Sequence, residues 1–250
     1  MRKIWLTVLG FLAVTGPALA QQTPPKNDAK LDEYLSKWQD AMLRIDTLAM
    51  QCSRVEDNKV YQTKETYTGT IHFKKPTQVL WNMQKKDKPQ EFERFICTGT
   101  HVYQFAPAEK VIKVYPAPKA AGNRIAEETS LDFLFGMKAD EAKKRYDLSL
   151  FKEDKYYIYV DVVPKSAKDK ADFIRARIVL NRETYLPRQL WFQQPNKDEV
   201  FWDIPNIQAN PKLDAQIFAA PRTPQGWKMV QGQQANRNES PSPRIVRPQR

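Results

Sequence analysis

The stretch GTIHFKKPTQVLWNM, residues 69–83, decides the fold. Ile71 and Phe73 alternate with polar neighbours up to Pro76, and after the proline Val79, Trp81 and Met83 alternate with Gln78, Leu80 and Asn82. A period of two marks β-strands, with one parity turned to the core. Proline cannot donate to a ladder, so it separates the two runs and makes the segment a strand pair joined by a turn.

Outward from this pair, the alternation extends back through Tyr67 to Val60, a long β-branched and aromatic run, and the period of two begins at Ala49. Ahead of it lies a charged turn at Lys85–Pro89, then runs at Phe92–Cys97, His101–Phe105 and Val111–Tyr115, with Thr98-Gly99-Thr100 as one of the turns. Pro116–Gly122 reads as loop. Ser130 and Gly136 bracket a short apolar helix over 131–135, and Lys138–Tyr146 reads as a charged helix. Further strands follow at 147–151, 156–163, 173–180, 187–194 and 199–204, and a last structured piece over 210–218 and then 221–230. The gaps are hairpin-sized and no long helix separates the strands, so an antiparallel meander is expected rather than a parallel sheet.

Before the strands, Leu31, Tyr34, Leu35, Trp38, Met42, Ile45 and Leu48 recur at spacings of three and four. They predict one amphipathic helix over about 29–47, capped by Asp28, that packs on the sheet. The chain starts with Arg2 and Lys3, continues with the apolar run Ile4–Val14, and reaches Ala18-Leu19-Ala20 after Pro17. That is the pattern of a cleaved export signal over 1–20, followed by a leader over 21–28. The apolar run is too short for a permanent membrane anchor. Residues 231–250 are polar and basic and read as a disordered tail. One domain over 29–230 is large enough for its own core.

The formal net charge is +11, and cleavage would remove Arg2 and Lys3 from it. A scattered positive charge suits anionic lipid heads. It gives no case for nucleic acid, which export also disfavours. His72 and His101, with Cys52 and Cys97, have no metal-ligand spacing. No nucleophile motif, phosphate loop or dinucleotide fingerprint occurs, and eight glycines leave little room for one. No enzyme, cofactor or metal is expected. Cys52 and Cys97 leave two readings open, a disulfide in an oxidising compartment or two buried thiols.

The order of these features resembles the bacterial outer-membrane lipoprotein carriers, the LolA-like and LolB-like proteins. The features are the exported helix, the strand pair around Lys75-Pro76, and the hairpin Thr98–Phe105. They continue with the LDFLFG stretch at 131–136 and the terminal Asn210, Leu213, Phe218 and Pro224-Gln-Gly226. The resemblance implies an α+β fold: a strongly curved antiparallel half-barrel of about ten or eleven strands, with short lid helices over its concave side. It implies a hydrophobic cavity for the acyl chains of lipoprotein or lipid. By position Val79, Trp81 and Met83 would line it, with Phe133, Leu134 and Phe135 in the lid. Lys75 stands where the family has a lid-latching arginine; lysine lacks the arginine fork. Partners would be those acyl chains and an envelope membrane protein, with the carrier a periplasmic or secreted monomer. The same half-barrel also serves stress regulators that bind proteins, which is the alternative reading.

Overall fold

The computed structural model describes residues 26–117 and 138–232. The expected signal over 1–20, the short helix at 131–136 with Phe133, Leu134 and Phe135, and residues 233–250 lie outside them.

Helix α1 (Lys26–Leu43) precedes six strands: β1 (Thr47–Asn58), β2 (Thr63–Lys74), β3 (Gln78–Lys85), β4 (Phe92–Cys97), β5 (His101–Ala106) and β6 (Val111–Pro116). Helix α2 (Ala139–Arg145) then leads into β7 (Tyr146–Glu153), β8 (Tyr157–Pro164), the single turn α3 (Ala167–Lys170), β9 (Arg175–Asn181), β10 (Pro187–Gln193) and β11 (Glu199–Ala209). A 3-10 turn (Ala215–Phe218) and β12 (Lys228–Gln231) complete the described chain.

All twelve strands form one sheet in the order β12-β6-β5-β4-β3-β2-β1-β11-β10-β9-β8-β7. Two antiparallel meanders, β1–β6 and β7–β11, are joined where β1 pairs with β11, and β12 adds to β6 in parallel. The sheet curves strongly. Trp81 on β3 and Trp202 on β11 are three strand steps apart, about 14 Å in a flat sheet, yet their ring centroids are 5.4 Å apart. Gly69 lies between them in the sheet, where an added Cβ would fall 2.0 Å from the Asn82 carbonyl oxygen. Only glycine lets β2 and β3 approach this closely.

The concave face and the stripe of α1 share one core. Leu31, Tyr34, Leu35, Trp38 and Met42 of the helix are buried with Leu48, Met50, Ile71, Val79, Trp81, Met83, Leu190, Phe192 and Trp202 of the sheet. The helix is held at both ends. Near its start Lys30 and Tyr34 bond Glu153 on β7, and Asp32 pairs with Lys143 of α2 at 2.5 Å. At its end Lys75 donates to the Leu43 carbonyl at 2.8 Å and Asn210 to the Arg44 carbonyl at 2.9 Å, satisfying last-turn acceptors. A smaller cluster, Ile96, Phe105 and Ile112 with Phe92, Leu80, Tyr103 and Trp227, packs on the opposite parity.

Several expectations are corrected. The helix stops at Leu43, so Leu48 is an inward residue of β1 rather than the end of a helical stripe, and Asp28 falls inside the helix rather than capping it. The period of two expected from Ala49 is β1, in which Arg54 occupies an inward position in line with Leu48, Met50 and Cys52. Val60 and Tyr61, expected in strand, are the exposed tip of the β1–β2 turn, where Gln62 has φ +54. The sheet has twelve strands rather than ten or eleven, since β12 runs to Gln231 at the start of the expected tail. The gap at 165–172 contains α3, capped by Ser166.

Candidate binding face

Strand β3 supplies the centre of the concave face. Its inward parity is Val79, Trp81 and Met83, with exposures of 1%, 0% and 0%. Their partners on β4 are Cys97, Phe95 and Glu93, and on β2 Phe73, Ile71 and Gly69. The Trp81 ring stacks on Phe95 (centroids 5.6 Å apart) and meets Trp202 edge to face at an interplanar angle of 72°. With no side chain at Gly69 and only a thiol at Cys52, the two indoles lean over the strands between them. The Cys52 Sγ packs 3.5 Å from the Met83 Sδ. Further round the curve, Phe173 and Phe192 meet edge to face at 5.4 Å, and Tyr146 stacks on Phe173.

A buried charge interrupts this apolar surface. Arg54, 1% exposed, donates from Nη1 and Nη2 to Glu93 at 2.9 and 2.5 Å. Its Nε lies 2.8 Å from Glu56 Oε1 without the alignment of a hydrogen bond. The guanidinium faces the rings of Tyr67 at 4.4 Å and Trp202 at 5.3 Å. Burial works against the cation, but Glu93 and Glu56 outweigh it and Arg54 holds its proton more tightly than usual. Burial pushes the Glu56 carboxyl up, only partly opposed by Arg54. One cation and two carboxylates make this corner of the face locally acidic in a basic protein.

Val79, Trp81 and Met83 thus share one face, as their parity predicts. Lys75 lies at its rim, where Nζ holds the end of α1 and sits 3.5 Å from Asp46. Cys52 and Cys97 are separate buried thiols. They sit on β1 and β4, three strand steps apart, which is about 14 Å and too far for a disulfide. Sequence reasoning missed Arg54, Glu93 and Trp38. The available signal was Arg54 itself, an arginine in phase with Leu48, Met50 and Cys52. Among the described residues no group of His, Cys, Asp and Glu is placed to hold a metal, and no helix is long and apolar enough to cross a membrane.

The family model of the outer membrane lipoprotein carrier protein LolA matches residues 45–221, well over half of the chain. The chain belongs to the LolA family. The matched span covers the sheet from β1 to β11 and begins after α1. No curated protein matches the chain in sequence. Among solved structures, an uncharacterized conserved protein from Thermus thermophilus aligns with TM-score 0.50 at 10% identity, over 81% of this chain and 99% of that one. A LolA superfamily protein from Nitrosomonas europaea aligns at TM-score 0.37 and 9% identity, over 75% and 96%. The lipoprotein LppX of Mycobacterium tuberculosis aligns at 0.39 and 8%, over 71% and 94%. The LolA fold is a carrier and binding fold.

Proposed function

We propose that this LolA family member is an exported, non-enzymatic carrier that works in the bacterial envelope as a monomer. It shelters the acyl chains of a lipoprotein or lipid on its concave face and hands them to an envelope membrane protein. The observation that carries the reading is the concave face itself, a broad apolar surface from Val102 on β5 to Val162 on β8, interrupted by the Arg54 charge. Among the described residues it is covered chiefly by α1, whose end is tied down by Lys75 and Asn210, with Ala142 of α2 beside it. Each methylene removed from water contributes about 0.8 kcal/mol, so a soluble carrier must enclose most of a chain. The inward residues are closed over in this structure, so loading requires the cover to move. The α1 stripe then gives up its place on the sheet, and the acyl chain takes it.

The test is titration of delipidated protein, residues 21–250, with a fluorescent fatty-acyl probe. Saturable uptake, reversed by a purified triacylated lipoprotein, supports the carrier reading. Absence of uptake at any probe concentration below its micelle threshold removes it. A protein partner recovered by crosslinking, without lipid, would transfer the assignment to a partner-binding module.

A further inference from the structure

The concave core contains polar groups that have no partner among the described residues. The Nε1 donors of Trp38, Trp81 and Trp202 are all buried, and among the described residues none has an acceptor. Buried indoles normally place their N–H on a partner. The edge-to-face contact of Trp81 with Trp202 lets at most one of that pair point at the other's ring, a second-order interaction. The groups against the Trp81–Trp202 pair are the Phe95 ring, Ile71 on the neighbouring strand and the Arg54 guanidinium, and none of these side chains is an acceptor. All three indoles belong to the same core, on the face that the carrier reading assigns to cargo.

We propose that these indoles are carbonyl-recognising donors, and that the face selects ester-linked acyl lipid over bare hydrocarbon and over free fatty acid. The inference rests on the carrier reading above and names its ligand class. An acceptor that enters this core must be uncharged and continuous with a hydrocarbon chain, and the carbonyl oxygen of an acyl ester is both. A fatty carboxylate would also accept, but it would bring a negative charge into a core where the cation near the indoles, Arg54, is already paired with Glu93 and faced by Glu56. Those two carboxylates already outnumber the one cation of Arg54. Leaving water without a free cationic partner disfavours the acid.

The experiment compares four ligands of equal chain length on delipidated protein, residues 21–250, by isothermal titration. They are dioctanoylglycerol, its dioctyl ether analogue, monooctanoylglycerol and octanoate. The ester is expected to bind about tenfold more tightly than the ether, the size of one or two neutral hydrogen bonds gained by otherwise orphaned donors. Octanoate, which has half the hydrocarbon of the two-chain ligands, is expected to bind more weakly than single-chain monooctanoylglycerol, and equal or tighter binding overturns the selection against the acid. In the double variant Trp81→Phe, Trp202→Phe the ester–ether difference is expected to fall below about threefold, with Trp38 retaining part of it. Equal affinity for ester and ether in the unaltered protein overturns the inference while leaving the carrier reading standing. So does a preference undiminished in the double variant. If none of the four binds, the carrier reading fails and the inference goes with it. Should the variant not fold, the ester–ether comparison on the unaltered protein still decides.

Discussion

Arg54 is the residue whose perturbation tests the structure most sharply. Its guanidinium is desolvated, bidentate to Glu93 and close to Glu56. Removing one partner of a buried ion pair costs about 3–5 kcal/mol, because an uncompensated charge stays behind. The Glu93 side chain is 32% exposed and Glu56 remains, so for Glu93→Gln we take the cost as about 2 kcal/mol. Arg54→Met acts differently. It removes the charge and leaves a flexible apolar chain against Tyr67 and Trp202, losing about 1 kcal/mol of cation–π attraction but no longer burying a cation. Combining both substitutions should therefore recover stability relative to Glu93→Gln alone. Urea unfolding at pH 7 measures it. With a slope near 2 kcal/mol per molar, Glu93→Gln is expected to lower the midpoint by about 1 M, and the double variant to regain at least half of that. A double variant less stable than Glu93→Gln would refute the reasoning, since Arg54 would then be stabilising without its partner.

Gly69→Ala places a methyl 2.0 Å from the Asn82 carbonyl, so β2 and β3 must separate. The expected result is loss of about 3 kcal/mol or more, read as a collapsed urea midpoint or insoluble expression, whereas unchanged stability would show that the strands are farther apart. Both thiols are buried, and burial pushes Cys52 up to about 12 against a small opposing effect of Arg54. A thiol reagent should therefore modify neither cysteine in native protein and both in denaturant, and a protein two mass units lighter after air oxidation would contradict this. Burial raises the Asp161 carboxyl, but Arg177 and Arg175, at 2.5 and 2.7 Å, outweigh it and hold it below its ordinary 3.8. Its stabilisation is complete above pH 3.8 and is lost as pH falls through the lower folded value, so Asp161→Asn should flatten the acid limb of a Tm–pH profile. Identical acid limbs would remove the pair from the account. Lys75→Ala leaves the Leu43 carbonyl without its donor, with an expected cost of about 1 kcal/mol and faster amide exchange in the last turn of α1. Exchange at the unaltered rate would mean that Asn210 alone holds that end.

The sheet was legible in the sequence because most inward positions are apolar and most outward ones polar, as in Val79, Trp81 and Met83 against Gln78 and Asn82. What was not legible is the one inward charge that breaks the pattern. Arg54 sits inward, and its charge is matched by Glu93, 39 residues ahead and three strands farther along the sheet. Nothing local announces such a pairing. Strand β12 was illegible for the opposite reason, since Lys228–Gln231 is exposed throughout and forms a strand only because β6 offers an open edge. The helix boundary failed because Ile45 and Leu48 continue the helical spacing by coincidence while the chain has already turned at Leu43. The binding face was half legible. Parity put Val79, Trp81 and Met83 on one side, but only curvature brings Trp202 against Trp81.

That curvature sets what a carrier of this design can do. A face that closes on itself when empty must exchange contacts, not fill a void, when it loads. The helix stripe of Leu31, Tyr34, Leu35, Trp38 and Met42 hides five large apolar side chains, worth roughly 2 kcal/mol each, or about 10 kcal/mol together. An acyl chain of roughly sixteen methylenes brings about 13 kcal/mol on the same scale. The two nearly balance, so cargo and cover compete for one surface with a difference of only a few kcal/mol. Such near-equality is what a carrier requires, because a ligand held by the full transfer energy of its chain could not be handed on. It also gives the polar details their leverage. One hydrogen bond at Lys75 or one ester carbonyl under Trp81 is a small fraction of either total but a large fraction of the difference.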